Sequence, residues 1–139
     1  MKQSTQDYLK AIFSLSKNRF ATVVKVNNIS KKLDISPAAV SDMVKKLEAS
    51  GYVTSLPYRG LSLTEAGWEI GCNMVRHHRI WETFLHDELG IPKDQVHDEA
   101  ERLEHACSDT LINKLEEKMG FPKLDPHGNP IPNRFGKFS

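Results

Sequence analysis

Residues 36–51 have the sequence SPAAVSDMVKKLEASG, and this stretch decides the fold that the chain predicts. Ser36 is a favourable N-cap, and Pro37 suits the first helical position because its missing N–H has no helical partner there. Gly51 suits the position just after a helix, where a left-handed backbone is common. The apolar residues between these ends recur at helical spacing and predict one buried face, formed by Val40, Met43, Val44 and Leu47.

The segments on either side of this helix complete a winged helix. A short helix ending at Leu33 precedes it, and Asp34-Ile35 makes a tight turn, so the two helices form a helix-turn-helix pattern. Residues 52–56, the turn Pro57-Tyr58-Arg59-Gly60 and residues 61–64 follow, and they predict a β-hairpin. A hairpin directly after a helix-turn-helix is typical of a wing, and Arg59 lies at its tip.

The remaining chain predicts more helices and an irregular tail. Apolar periodicity indicates helices over residues 4–16, 64–89, 92–107 and 108–119, with Leu111, Leu115 and Met119 facing inward on the last one. After Gly120 the chain is too rich in proline and glycine for regular structure. We expect an extended segment that packs on the helices.

Charge is divided unevenly along the chain, although the net charge is only +1. Residues 1–60 hold 10 Lys and Arg against 4 Asp and Glu, a net of +6, whereas residues 61–139 hold 9 against 14, a net of −5. All six histidines lie in the second part. A basic half suits phosphate and an acidic, histidine-rich half suits cations, with chance drift of surface charge as the alternative.

The two cysteines give information about the compartment. Cys72 and Cys107 form neither a CxxC pair nor a disulfide framework, which favours a reducing environment. The sequence also has no signal peptide and no apolar run long enough to span a bilayer. We therefore expect a cytoplasmic protein with no membrane partner.

The exposed side of the helix over residues 36–51 is the predicted DNA-binding surface. Lys45 and Lys46 suit phosphate contacts, and the small residues would let the helix approach base edges closely. The helix offers no Arg, Asn or Gln for a two-hydrogen-bond base contact, so we expect modest or shape-based recognition. The alternative is a protein-interaction module with solvated lysines. The predicted contacts are Ser36, Pro37, Ala38, Ala39, Ser41, Asp42, Lys45 and Lys46, together with Arg59 of the wing.

Residues 97–105, HDEAERLEH, predict a helix with a metal-binding face. Positions three and four apart are neighbours on a helix, so one side presents two imidazoles and two carboxylates, from His97, Glu101, Glu104 and His105. The long helix before it adds His78 and Glu82, four residues apart. Oxygen and imidazole ligands without a thiolate favour Mn(II) or Fe(II). The alternative is a pair of amphipathic helices whose charged faces lie in water.

Several short motifs occur along nearly the whole chain in a recognisable order. They are Asp7-Tyr8-Leu9, residues 36–41, Gly60 with Leu63-Thr64, His78-Arg79 with Glu82, residues 97–101, Glu104-His105 with Ser108-Asp109, and PHGNPIP at residues 126–132. In this order and spacing the chain resembles the diphtheria-toxin-repressor-like family of metal-dependent transcriptional regulators, and most closely its manganese-responsive branch.

The resemblance implies a mainly α fold, with an N-terminal winged helix-turn-helix and two-stranded β wing followed by a helical dimerisation domain. Residues 1–72 would bind DNA, and residues 73–139 would bind metal, form the dimer and end in the proline- and glycine-rich tail. The implied activity is a homodimeric repressor that binds a double-stranded DNA operator when metal is plentiful. Longer family members add a third, SH3-like domain after the proline-rich stretch.

The resemblance also implies two metal sites. The primary ligands would be Asp7, Glu101, Glu104 and His105, often with His78, and the ancillary ligands would be His78, Glu82 and His97, with Asp125 or His127 from the tail. Iron-type relatives have methionine and cysteine at the positions of Asp7 and Glu101, so the carboxylates favour Mn(II), with Fe(II) second. Lys10 stands where some manganese relatives have a second carboxylate, which argues against a two-metal cluster of that form.

Two other hypotheses stay open. A metal-independent winged-helix regulator would have His and Glu faces that are only surface. A helical metalloenzyme would need an open coordination position, but the sequence offers no obvious nucleophile or substrate pocket. We therefore predict that the protein is not an enzyme.

Overall fold

The computed structural model describes residues 1–138, and the chain divides into two compact units, Met1–Cys72 and Asn73–Ser139. In chain order the elements are α1 Gln3–Leu15, α2 Val26–Leu33, α3 Pro37–Ala49, β1 Val53–Leu56, β2 Gly60–Leu63, α4 Glu65–Asp87, α5 Val96–Glu104 and α6 Asp109–Lys118. Along residues 1–138 no helix is long and apolar enough to cross a membrane. The element order confirms the predicted mainly α fold with a winged helix at its N-terminal end.

Local signals set the ends of α2 and α3. Asp34 ends α2 in a left-handed conformation, with φ 55°. Ser36 caps α3 by accepting a hydrogen bond from the Ala39 N–H at 3.1 Å, and Pro37 occupies the first helical position. The two helices are therefore joined by the short turn that the sequence predicted.

The wing is an antiparallel hairpin of β1 and β2, paired from Val53 with Leu63 to Leu56 with Gly60. Val24, in the segment between α1 and α2, forms a further β-bridge with Leu61. Gly60 permits this contact, because its backbone has φ +131° and a Cβ there would lie 2.3 Å from the Val24 carbonyl oxygen. The segment before α2 is thus held beside the wing.

The first unit has an apolar core drawn from all of its elements. Its buried members include Leu9, Ile12 and Phe13 of α1, Ile29 of α2, Val40, Val44 and Leu47 of α3, and Val53 and Leu61 of the wing. Removal of this surface from water is the main stabilising term for such a unit. Because α3 buries one face in this core, its opposite face is left to solvent.

Described residues of the second unit form at least two small apolar clusters. Ile80, Ile112 and Ile131 form one, and Leu85, Val96 and Ala100 form the other. Helix α4 contributes to both clusters, and Ile131 belongs to the proline-rich tail. The tail also folds back on itself through a β-bridge between Leu124 and Pro130, and Arg79 donates to the Pro130 carbonyl oxygen. The tail is therefore an extended segment packed on the helices, as predicted.

Two helices differ from the sequence prediction. Helix α5 begins only at Val96 and ends at Glu104, so His105 is its C-cap rather than a residue of its last turn. On α6 the inward face is shifted, since Leu111 is 42% exposed whereas Ile112 and Glu116 are buried. Glu116 is buried because Arg76 pairs with it at 2.9 Å, a long-range contact that apolar spacing does not predict.

Candidate metal centre and nucleic-acid interface

The predicted DNA-binding residues of α3 form one exposed surface. All eight of them, Ser36, Pro37, Ala38, Ala39, Ser41, Asp42, Lys45 and Lys46, are exposed, while the helix buries Val40, Val44 and Leu47 on its other side. The small residues at the start of the helix leave its backbone accessible, and the two lysines follow about two turns later. This surface has the composition that close approach to a duplex requires.

The wing adds a second cationic position. Arg59 lies in the turn between β1 and β2 and is exposed, next to Tyr58, whose backbone is left-handed at φ 62°. A cleft of about 470 Å³ lies beside the turn, and Lys25 and Asn27 line it together with Arg59. Lys25 was not among the predicted contacts. Lys25 follows Val24, whose β-bridge with Leu61 holds this segment beside the wing, and the sequence analysis did not predict that pairing.

Glu82 of α4 is the centre of the polar cluster in the second unit. Its side chain is 3% exposed, and its Oε1 lies 3.2 Å from Nε2 of His78. Its Oε2 lies 3.4 Å from Nδ1 of His127 and 4.0 Å from Nδ1 of His97. One buried carboxylate therefore faces three imidazoles from α4, α5 and the tail.

Two sets of side chains around Glu82 have the spacing of metal ligands. One consists of His78, Glu82 and His97, and the other of Glu82, Asp125 and His127; within each set the ligand atoms lie within 4.8 Å of one another. These are the five residues predicted for the ancillary site. The structure thus brings the whole predicted ancillary set together, including both residues of the tail.

Neighbouring groups hold the tail ligands in place. Nε2 of His127 lies 2.9 Å from the Lys93 carbonyl oxygen, which only accepts, so this nitrogen donates to it and the ring is held with Nδ1 3.4 Å from Oε2 of Glu82. Asp125 is buried and accepts backbone hydrogen bonds from His127 at 2.9 Å and Asn129 at 2.8 Å. Sequence reasoning missed the role of the Lys93 carbonyl, since no side-chain pattern reports a backbone contact across the fold.

The electrostatics of Glu82 suit a cation. Burial raises the pKa of its carboxyl, but hydrogen bonding and charge from His78, with smaller contributions from His127 and His97, outweigh burial and lower the pKa overall. Its Oε2 is buried and accepts no hydrogen bond from the described residues. A buried carboxylate oxygen without a donor is costly unless a cation or a proton compensates it. The donor set of oxygen and imidazole therefore fits a divalent metal.

The predicted primary ligands have mixed environments. Glu104 is buried at the end of α5, with Oε1 3.3 Å from Nδ1 of His78. Glu101 is exposed and lies 3.1 Å from Nε2 of His97, four residues earlier. His105 is half-buried just beyond the helix, and Asp7 is half-buried on α1 of the first unit. Burial along the predicted helical face is uneven: Glu104 is buried and His97 and Glu101 are exposed, yet His97 and Glu104 both lie beside His78 of α4.

A winged helix combined with a carboxylate–imidazole cluster defines a class, that of DNA-binding transcriptional regulators with a metal-binding domain. Residues 1–61 match the N-terminal DNA-binding domain of the iron-dependent repressors, and residues 64–133 match their metal-binding and dimerisation domain. The chain belongs to this family of metal-dependent transcriptional repressors.

Individual relatives agree with this assignment. The chain is 38% identical over 116 residues to an uncharacterised HTH-type transcriptional regulator of Methanocaldococcus jannaschii, covering 84% of this chain and 92% of the relative. It is 35% identical over 129 residues to the iron-dependent repressor IdeR of Mycobacterium tuberculosis, covering 93% of this chain and 55% of the relative. The structure of a manganese-dependent transcriptional repressor in complex with manganese is similar, with a TM-score of 0.84, 40% identity and coverage of 97% of this chain and 61% of that one. The chain thus spans little more than half of some relatives.

Proposed function

We propose that the protein is a homodimeric repressor that binds operators of metal-homeostasis genes in the cytoplasm when Mn(II), or secondarily Fe(II), is bound. The observation that carries this proposal is the buried Glu82 carboxylate, which faces three imidazoles and has an oxygen without a hydrogen-bond donor among the described residues. The exposed, basic surface of α3 and the wing supplies the complementary half of the function.

Two ligand sets are proposed for the metal. His78, Glu82 and His97, with Asp125 and His127 from the tail, would hold the ancillary ion. Asp7, Glu101, Glu104 and His105, with His78, would hold the primary ion, as the family resemblance implies. Carboxylate oxygens and imidazoles without a thiolate favour Mn(II) over softer metals. Both iron- and manganese-dependent repressors are similar to this chain, so the order of preference is a proposal.

The proposed switch depends on electrostatics. Without a cation, carboxylates such as Glu101 and Glu104 repel one another and Asp7, which disfavours the arrangement that binds DNA. A bound cation would neutralise them and so favour the conformation in which the two recognition helices of the dimer match two half-sites. By linkage, DNA must then tighten metal binding by the same factor. The winged helices themselves would contact DNA through Ser36, Pro37, Ala38, Ala39, Ser41, Asp42, Lys45, Lys46 and Arg59.

Fluorescence anisotropy of a labelled duplex from the gene's own upstream region tests the proposal. Binding is measured with excess chelator, with Mn(II) and with Fe(II) under anaerobic conditions. We expect binding only when metal is present, at lower concentrations of Mn(II) than of Fe(II). Equal binding in chelator and in metal would overturn the switch and leave a metal-independent winged-helix regulator.

Ligand variants separate the two proposed sites. Glu104→Ala, in the primary set, should abolish metal-dependent DNA binding, and Glu82→Gln should remove the ancillary ion, seen as one fewer Mn(II) per chain by calorimetry. Glu99→Gln is the matched control, because Glu99 lies on α5 but pairs with Arg102 at 2.9 Å and belongs to neither set. Metal-dependent DNA binding that survives in Glu104→Ala would refute the assignment of the primary ligands.

The DNA surface can be tested by salt dependence. Lys45→Ala should weaken binding about equally for all duplexes and reduce the slope of log affinity against log salt by about 1, as expected for one lost phosphate contact. Lys118→Ala is the control, since this lysine lies at the end of α6 in the second unit. An unchanged slope in Lys45→Ala would exclude that phosphate contact.

A further inference from the structure

Glu48, near the end of α3, places a carboxylate on the proposed DNA surface. It lies three residues after Lys45 and seven after Ser41, so the three exposed side chains share one side of the helix. A negative charge at this position repels the phosphates of a duplex and by itself lowers the affinity for DNA. The contacts of Glu48 within the protein indicate a role that compensates for this repulsion.

The Glu48 carboxylate reaches from α3 to the wing. Its Oε2 accepts a hydrogen bond from the Ser55 N–H of β1 at 2.7 Å. Ser55 is paired across the hairpin with Leu61, but its N–H points to Glu48, so the β1 backbone faces away from β2 at this position. The carboxylate therefore lies at the outer edge of β1. A hydrogen bond to an ionised acceptor is stronger than one between neutral groups.

The other edge of the wing is held at the same register position. The Leu61 N–H donates to the Val24 carbonyl oxygen at 3.0 Å, and the Val24 N–H donates to the Leu61 carbonyl oxygen at 2.7 Å. The pair of Ser55 and Leu61 is therefore contacted from both sides, by Glu48 at one edge and by Val24 at the other. One further residue pair leads into the turn that carries Arg59. These contacts set the direction in which the tip of the wing extends from α3.

We propose that Glu48 is a positioning residue for DNA binding, which fixes the wing relative to α3 so that Arg59 and Lys45 contact one duplex together. This inference rests on the proposed function, because it assigns a role within the proposed DNA surface. Glu48 acts through its hydrogen bond with Ser55 and not through contact with DNA. A wing that is already held in place loses less conformational freedom on binding. Loss of the hydrogen bond therefore weakens the contribution of Arg59.

Two substitutions that remove the same charge separate the hydrogen bond from the electrostatic repulsion. Glu48→Gln keeps a side-chain oxygen that can accept from the Ser55 N–H, whereas Glu48→Ala has no acceptor. Binding to a labelled duplex is measured by fluorescence anisotropy. We expect Glu48→Gln to bind at least as tightly as the unchanged chain, and Glu48→Ala to bind about fivefold more weakly than Glu48→Gln. Equal affinities of the two variants would overturn the proposal. Glu69→Ala, which removes an exposed carboxylate of α4, is the control and should bind like the unchanged chain.

A double-mutant cycle tests whether Glu48 acts through the wing. In a chain that also carries Arg59→Ala, the wing no longer supplies its cation, so its direction matters less. The difference in affinity between Glu48→Gln and Glu48→Ala should then fall to less than about twofold. A general loss of stability in Glu48→Ala would leave that difference unchanged. A difference that remains at about fivefold would therefore refute the positioning role.

The choice of duplex distinguishes this inference from the metal switch. The comparison is made with the upstream duplex in Mn(II) and with a non-specific duplex at low salt in excess chelator, because a basic surface binds DNA there without an operator. Equal binding in chelator and in Mn(II) would overturn the switch and leave the comparison between the Glu48 variants valid. Failure to bind either duplex would overturn the positioning role together with the DNA surface.

Amide hydrogen exchange tests the hydrogen bond without DNA. In the free full-length chain, the Ser55 amide should exchange about tenfold faster in Glu48→Ala than in Glu48→Gln. Equal exchange rates would show that Glu48 does not hold the wing. If circular dichroism shows that Glu48→Ala does not fold, Ser55→Pro takes its place in the affinity measurements. It removes the donor of the same hydrogen bond at an exposed strand edge, where proline is tolerated.

Discussion

The two units of the chain differ in what they bury. In the first unit the only buried polar residue among those described is Ser16, and the core consists of apolar side chains. In the second unit the buried polar and charged residues are Arg76, His77, His78, Glu82, Thr83, Glu104, Glu116 and Asp125. The first unit, whose residues 1–60 have a net positive charge, keeps its charged side chains on the surface, where they can contact a polyanion. The second keeps charges inside, where they must be paired.

This difference implies different sources of stability. Apolar burial stabilises the first unit without regard to ions, at roughly 25 cal/mol per Å² of buried surface. Buried charges in the second unit cost free energy unless a partner, a proton or a cation compensates each of them. The second unit should therefore respond to mutations of single charged partners, to metal and to acid. Trp68 in the first unit and Trp81 in the second allow each to be followed by fluorescence in single-tryptophan variants.

The largest expected effect is loss of the Arg76 guanidinium. It donates to Glu116 at 2.9 and 3.0 Å and to the Pro132 carbonyl oxygen at 2.9 Å. Arg76→Leu should lower the free energy of unfolding by about 3 kcal/mol, because the buried Glu116 carboxylate loses both of its short hydrogen bonds and keeps only Arg134 at 3.6 Å. Urea unfolding monitored at Trp81 measures the loss.

Arg134 supplies the control for that prediction. It lies 3.6 Å from Glu116, but its side chain is 36% exposed, so Arg134→Ala should cost no more than about 1 kcal/mol. Equal losses of unfolding free energy in Arg76→Leu and Arg134→Ala would show that burial of the ion pair does not determine its contribution to stability.

Metal binding should give the next largest effect. At a Mn(II) concentration of 100 times the dissociation constant, the bound ion stabilises the folded chain by about 2.7 kcal/mol. We expect the unfolding transition reported by Trp81 to shift by more than the transition reported by Trp68. Glu82→Gln, which keeps the proposed primary ion, should show a smaller shift, and Glu99→Gln should show the full one. Equal shifts of the transitions at Trp81 and Trp68 would contradict the expectation that metal stabilises the second unit more than the first.

Acid should weaken the second unit through Glu116. The hydrogen bond from Arg76 lowers the pKa of this carboxyl, against the opposing effect of burial. A lowered folded-state pKa contributes stability above the unfolded value of about 4.3, and this stability is lost as the pH falls from there through the folded pKa. Thermal unfolding followed by Trp81 fluorescence between pH 6 and pH 3 measures this loss of stability. Glu116→Gln should start less stable at pH 6 and lose less on acidification, and an unchanged pH profile would contradict the assignment.

The smallest predicted effect should be the same in both units. Ser36 caps α3 and Ser108 caps α6, each through one backbone N–H at 3.1 and 3.2 Å respectively. Both hydrogen bonds are exposed, so Ser36→Ala and Ser108→Ala should each cost about 1 kcal/mol in chemical unfolding. A large difference between them would mean that the contrast between the units extends to their surfaces.

The first unit was the easier one to predict from the sequence. Ser36, Pro37 and the turn at Pro57-Tyr58-Arg59-Gly60 are local signals, and the structure has α3 and the wing where those signals predicted them. Apolar periodicity suffices there because the core is apolar. The contact of Lys25 with the wing cleft escaped prediction, since it depends on the long-range bridge at Val24.

The second unit was predicted in its residue types but not in its contacts. The family resemblance implied Glu82 and the four possible ligands around it, and the structure brings these residues together in two sets that share Glu82. The prediction of which α6 residues face inward was wrong. Hydrophobic spacing predicts that a glutamate faces solvent, but the ion pair with Arg76 makes burial of Glu116 favourable. The side chain of His77 contacts Cys107, 30 residues away, and Asp109, 32 residues away. Hydrophobic periodicity does not predict contacts between polar residues so far apart in the sequence.

The shared position of Glu82 has a consequence for stoichiometry. The set of His78, Glu82 and His97 has one carboxylate, so its formal charge is −1 when the histidines are neutral. The set of Glu82, Asp125 and His127 has two carboxylates, so its formal charge is −2. All five side chains, His78, Glu82, His97, Asp125 and His127, together hold only two negative charges. One divalent cation neutralises them, whereas two would leave a surplus of two positive charges beside buried groups. We therefore expect a single ion that draws on both sets rather than a pair of ions bridged by Glu82.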